Sequence, residues 1–279
     1  MVTFNEEKHE YTSVHSDEIY VSATSLIHKY SQPFNKEYWS LYKALEELDY
    51  LFIKNKKIYL ADRTYEYLSS VVPNYIDKED LQEQVELILA LWKDKNEISK
   101  VKGTLFHNKK ERQALDSQQG YFDSQVIDVQ DYKSSLKGLT LEQLKEYNYF
   151  DCLPDGYYTE LLLFNHDYKI AGTSDIVIIE TDSDGNRWVT IDDYKTNKEI
   201  KTENRFQNMK FPLNKLPDAN YFHYNLQTSL YGYMLECMGF KVKHTRITWI
   251  NELGVEIPYL FEYRKTDIQN MLEHYKNNK

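Results

Sequence analysis

The chain has 279 residues, 41% hydrophobic and 28% charged, which suits a globular protein with a sizeable core. No apolar run nears the roughly 20 residues that a membrane span needs. Its 34 basic and 44 acidic residues give a net charge of −10, which excludes a protein that coats nucleic acid through a general positive charge but leaves room for local DNA contact. Two cysteines, Cys152 and Cys237, lie far apart without ligand spacing, so a disulfide framework, a zinc knuckle and a four-cysteine iron–sulfur cluster are unsupported. The opening "MVTFNEEKHEYTS" shows no basic-then-apolar export segment, and a cytoplasmic location is the expectation.

In chain order, "EKHEYTSV" and "EIYVSATSL" flank the turn signal "HSDE" and predict a short hairpin. A helix is expected from Ser22 or Thr24, where hydroxyl caps precede apolar residues. The stretch 34–99 is largely helical in pattern, with "KEYWSLYKALEEL" and "KEDLQEQVELILALWKDK" carrying apolar residues every three or four positions. A further helix is expected over about residues 103–115, and the polar, turn-rich stretch 116–155 has the texture of an insertion or lid. "YYTELLLFN", "YKIAGTSDIVIIE" and "RWVTIDDYK" predict three consecutive strands. The helix "ANYFHYNLQTSLYGYMLECMG", the strands "KHTRITWIN" and "VEIPYLFEY", and a closing helix "KTDIQNMLEHYKNN" complete the order.

Chemistry concentrates around "IDDYKTNKEI". Strand alternation puts Asp193 and Lys195 on one face, a carboxylate beside an ammonium at a strand end. The carboxylate suits a hard cation such as Mg²⁺, and the lysine suits negative charge that develops on a reacting group. On its own, such a triplet more often marks a solvated surface. Asp175, in the otherwise apolar run "AGTSDIVIIE", needs a partner or a metal, and a single tight connection lets it converge on Asp193. An odd-numbered loop in that hairpin, such as Ser183-Asp184-Gly185, or a bulge, is required for the two acids to meet. His107 and Glu111 share a helical face, and Glu160 is an acid among apolar strand residues.

Taken in order, Gly103, His107 and Glu111, then Glu160, then Gly172 and Asp175, then Asp193, Tyr194 and Lys195, then Gln227 and Tyr231 form a pattern that resembles the PD-(D/E)XK nuclease superfamily, closest to its RecB-like exonuclease branch, which includes many phage nucleases. The resemblance covers about residues 101–250. It implies an α/β fold, a restriction-endonuclease-like core with a mixed sheet flanked by helices, behind an N-terminal hairpin and helical region (1–100) packed on that core (101–279). It implies a Mg²⁺- or Mn²⁺-dependent DNA exonuclease of recombination, repair or processing. His107, Asp175, Asp193 and the carbonyl of Tyr194 would be metal ligands, Lys195 the catalytic lysine, and Glu111 and Glu160 supporting acids. Gln227 and Tyr231 would line the DNA side. The basic stretch after the catalytic strand, with Lys198, Lys201 and Arg205, would hold DNA, or be a plain solvated loop.

The chain departs from relatives that carry an iron–sulfur cluster, and from helicase-fused ones, since no nucleotide phosphate loop occurs. It would then work alone or beside a helicase or a single-strand annealing or recombination protein. A structure-selective endonuclease and a non-cutting DNA- or protein-binding subunit stand as alternatives.

Overall fold

A computed structural model describes residues 2–5, 8, 10–14, 16–117, 126–127 and 153–278. The expected insertion at 116–155 lies largely outside them. The described chain forms two compact units, residues 1–32 with 105–279, and residues 33–104. The expected boundary at residue 100 is thereby corrected, because the first 32 residues belong to the sheet unit.

The reason is strand pairing. Strands β1 (Val2–Asn5), β2 (Glu10–Ser13) and β3 (Ile19–Ser22) form an antiparallel meander, and β3 pairs in parallel with β6 (Ile170–Thr181) through Val21 and Ile170. Around β6 the order continues with β7 (Arg187–Lys195), β8 (Lys241–Ile250) and β9 (Glu256–Phe261), while β5 (Gly156–Asn165) pairs with β6 and with the short β4 (Val126–Ile127). Among the described residues the result is a nine-stranded mixed sheet, parallel at β3–β6, β4–β5 and β7–β8. The α/β class expected from the sequence is the class observed.

Alternation along β6 sends its side chains to two cores. Val177 and Ile179 join the larger one, with α1 (Ala23–Lys29), α6 (Asn220–Cys237) and α7 (Lys265–Asn277) supplying Leu26, Leu226, Leu230 and Met271. Ile176 and Ile178 face Tyr157 and, from the long helix α5 (Lys78–Ser117), Ala114. The start of α1 follows its sequence signal, since the Ser22 hydroxyl accepts the Ser25 amide at 3.1 Å.

In the other unit, α2 (Lys36–Leu48), α3 (Phe52–Tyr59) and α4 (Tyr65–Ser70) close around Tyr38, Leu45, Phe52, Tyr59 and Leu68. Asp49 is buried there, with no cation paired to it among the described residues. It is satisfied by the hydroxyls of Tyr59 and Tyr75, by Asn55 and by the Leu51 amide, which is what a buried carboxylate requires. The helices expected around 78–95 and 103–115 are one 40-residue helix, α5. Gly103 was the only break signal, and an interior glycine costs a helix only about 1 kcal/mol.

Candidate active site

Register decides whether the acids can meet. The β6–β7 ladder pairs Ile176 with Asp192 and Thr181 with Arg187, leaving an odd-numbered connection, Asp182 to Asn186. Asp182 organises this turn by accepting the Asn186 and Asp184 amides and the Trp188 indole N–H, while Gly185 supplies the positive φ of 79°. One further step of the register sets Asp175 opposite Asp193, as the odd loop requires.

The same logic runs to β5. Thr159 pairs with Ile176 and Leu161 with Ser174, so Glu160 falls opposite Asp175. That pair drops out of the ladder because Glu160 has φ 51°, a left-handed conformation that non-glycine residues adopt at a cost of about 1–3 kcal/mol. Three neighbouring strands thus carry Glu160, Asp175 and Asp193 in one row.

Helix α5 brings His107 to this row. Its Nδ1 lies 3.1 Å from Asp175 Oδ1, while Asp175 Oδ2 accepts the Tyr194 amide at 2.6 Å. His107, Glu160 and Asp175 each offer one ligand atom, all within 4.8 Å of one another. Two carboxylates and an imidazole are a donor set that suits Mg²⁺ or Mn²⁺. They line a small cleft with Lys110, Glu111, Tyr157, Thr159, Ile176 and Tyr194.

Asp193 lies outside that cluster. It is buried, forms an ion pair with Lys195 through Oδ2, and accepts the Gln227 amide at 3.2 Å on Oδ1. The cluster that could hold a metal contains Glu160, expected in a supporting role, and not Asp193, expected as a ligand. Tyr194 contributes its N–H to Asp175, and its ring sits at 5.7 Å from Phe106 and 6.3 Å from His107.

The neighbouring acid, Asp192, serves a different purpose. Being one position along the strand, it points to the other face, where Arg246 Nε at 2.7 Å and the Thr248 hydroxyl at 3.0 Å satisfy it. The charged run therefore splits into two ion pairs on opposite faces, Asp192–Arg246 and Asp193–Lys195.

Gln227 and Tyr231 were expected on the DNA side. Both are buried, Tyr231 at 2% exposure, and they stand behind Asp193, the Gln227 amide lying 3.3 Å from the Tyr231 hydroxyl. Gln227 holds Asp193, and the Tyr231 hydroxyl backs Gln227. Gly172 makes room for this arrangement, because a Cβ there would lie 2.7 Å from Tyr231 Cε1 and 3.2 Å from Ala23 Cβ. Gly172→Ala is expected to lower stability by about 1–3 kcal/mol, as overpacked cores do. A denaturant titration equal to that of the wild type would contradict this packing.

Tyr224 was missed by the sequence reading. Lys195 Nζ lies 4.9 Å from its ring centroid. The signal was available, since Tyr224 precedes Gln227 by three residues and Tyr231 by seven, on one helical face.

The basic stretch gives a mixed result. Lys198, Lys201 and Arg205 do line one surface depression, but Lys201 pairs with Glu199 at 3.0 Å and Arg205 with Glu203 at 3.5 Å. Much of its charge is neutralised locally, and among the described residues only Lys198 of the three forms no ion pair.

Burial and mutual repulsion shape the protonation of the site. Burial, with Asp175 adding to it, pushes Glu160 up to about 8. Burial and the Asp175 charge push Asp193 up to about 6, against the pull of Lys195. Burial alone would lower His107 and Lys195, but the neighbouring carboxylates outweigh it and raise both. Lys195 is therefore an ammonium at neutral pH, fit to stabilise negative charge and unfit to act as a base.

The consequence for stability has a definite sign. Between the unfolded carboxyl range and about pH 8, folded Glu160 holds a proton that the unfolded chain has lost, so stability falls as pH rises. Asp193 acts the same way up to about pH 6. His107, raised above 6.5, contributes stability that is full below that value and is lost as pH rises through its folded pKa. In EDTA, Tm is expected to fall from about pH 5 toward pH 8, and Glu160→Gln is expected to flatten the upper part of that fall. Mg²⁺ or Mn²⁺ should raise Tm more at the alkaline end, where the ligands are already deprotonated. A Glu160→Gln profile as steep as that of the wild type would contradict this coupling.

No protein-family model matches the chain, and no curated protein matches it in sequence. Among solved structures it is similar to the crystal structure of SSO0001, at 17% identity over 63% of this chain and 86% of that one, with a TM-score of 0.25. A likeness at that score carries no argument about function. Among the described residues, no helix is long and apolar enough to cross a membrane.

Proposed function

We propose that the protein is a divalent-metal-dependent deoxyribonuclease, acting from DNA ends. One observation carries the reading: Glu160, Asp175 and Asp193 stand in a row on three adjacent strands, with His107 beside Asp175 and an ammonium, Lys195, on Asp193. The preference for ends follows the RecB-like motif pattern.

His107, Glu160 and Asp175 would hold the cation. When bound, Mg²⁺ or Mn²⁺ would supply Lewis-acid stabilisation of the phosphate and a nucleophilic water at neutral pH. The chain's own residues do the rest. Asp175 is fixed by the Tyr194 amide, and its other oxygen faces His107, so its carboxylate is aimed before substrate arrives. Asp193 is held by Gln227 and holds Lys195 in turn, so the ammonium waits at a defined place. As the phosphorus–oxygen bond breaks, Lys195 meets the charge that develops on the phosphoryl oxygens, which is where preorganised donors accelerate a reaction most.

The test is a gel assay on linear and covalently closed circular DNA, with Mg²⁺ and with EDTA. Mg²⁺-dependent shortening of linear DNA, with the circle intact, is expected. Cleavage of the circle at an equal rate would replace the exonuclease with an endonuclease, and a lack of Mg²⁺-dependent cutting on either substrate would overturn the nuclease reading.

A further inference from the structure

A second surface, wholly within residues 33–104, has the chemistry of a nucleic-acid contact. Phe34, Lys36, Trp92, Lys93, Lys95, Asn96 and Ser99 line one open depression. Phe34 is 66% exposed, and its ring lies 5.7 Å from that of Trp92 in an edge-to-face arrangement. Trp92 is half-buried, so the two rings together present a partly exposed aromatic ledge at one spot. The three lysines are all exposed and form no ion pair among the described residues.

The charges are sorted by helix geometry. At about 100° per residue, Trp92, Lys95, Asn96 and Ser99 share one side of α5, with Lys93 at its edge, while Asp94 and Glu97 turn away. Glu97 is in any case paired with Lys100 at 3.0 Å. In a protein of net charge −10, this leaves a patch of positive charge without ion-pair partners among the described residues, around the exposed Phe34 ring and the half-buried Trp92 ring. Helical burial does not explain it, since every residue from 93 to 102 is exposed.

We propose that this surface binds single-stranded DNA, its bases stacking on Phe34 and Trp92 and its phosphates meeting Lys36, Lys93 and Lys95. Unpaired bases have free faces to offer to an aromatic ring, whereas duplex bases already stack on one another. Cationic grooves with aromatic platforms bind single strands in this way, with little regard for sequence. The choice of DNA as ligand rests on the nuclease reading, but the site is separate from the strand-end cluster and can be tested without cleavage.

The experiment uses the full chain in EDTA and reads the fluorescence anisotropy of a labelled oligothymidylate, a blunt duplex and a labelled oligoglutamate. Phe34→Ala and Trp92→Ala are each expected to weaken oligothymidylate binding roughly tenfold. Lys93→Gln with Lys95→Gln is expected to lower the slope of log K against log salt by about 1.4, at roughly 0.7 per phosphate contact. Phe34 is exposed enough that its variant should keep the wild-type circular dichroism and Tm, which guards against a folding artefact in Trp92→Ala. Unchanged affinity and salt slope in all three variants would overturn the proposal, as would oligoglutamate or duplex binding as tightly as the single strand. Because no metal is present, a failed cleavage assay leaves this result readable. Normal cleavage with unaltered binding in the variants would remove the platform and spare the nuclease.

Discussion

Lys195→Ala is expected to lower the rate of DNA cleavage by roughly 10²–10³-fold, the usual cost of removing one preorganised transition-state donor. The ammonium is held on Asp193 beside the aromatic face of Tyr224, so it stands ready before the reaction begins. It is not one of the clustered ligand atoms, and metal affinity should change little. Removing the cation leaves Asp193 buried without its counter-charge, which costs stability. Lys195→Gln keeps a donor toward Asp193 and separates that loss from the loss of chemistry. Both variants should bind DNA like the wild type in EDTA and cut slowly when Mg²⁺ is added. Cleavage at the wild-type rate by either variant would reduce Asp193–Lys195 to a strand-end ion pair.

Asp175→Asn is expected to have the largest effect on metal. Asp175 touches His107 with one oxygen and the Tyr194 amide with the other, and it belongs to the clustered ligand set. Asparagine keeps the acceptor for the amide but loses the charge. Groups that merely orient a metal ligand are worth about 10–100-fold in affinity, so losing a ligand's charge should exceed about 100-fold. Isothermal titration with Mn²⁺ reads this directly, and the metal-dependent rise in Tm should vanish with it. Wild-type Mn²⁺ affinity in Asp175→Asn would move the metal site elsewhere.

Much of this site was legible because its chemistry follows strand periodicity. Apolar runs bounded by turn signals marked β5, β6 and β7, and the parity of the Asp182–Asn186 connection decided that Asp175 would fall opposite Asp193. Alternation also separated Asp192 from Asp193, although nothing local named Arg246 as the partner of Asp192, which comes from β8. The long-range features were hidden for the same reason. The pairing of β3 with β6 joins residues about 150 positions apart, and no local pattern reports it. The backbone of Glu160 was equally silent, since a glutamate in an apolar run predicts ordinary extended structure and not φ 51°. The inward burial of Gln227 and Tyr231 was masked because α6 is apolar around most of its circumference, which leaves its sequence without a clear outer face.

A crystal structure grown with Mn²⁺ and read by anomalous scattering puts the proposed metal centre to the most direct test. One strong peak is expected within bonding distance of His107, Glu160 and Asp175, with Lys195 still on Asp193. A crystal saturated with Mn²⁺ whose peak lies away from these three residues would contradict the site, whatever the pattern of motifs along the chain.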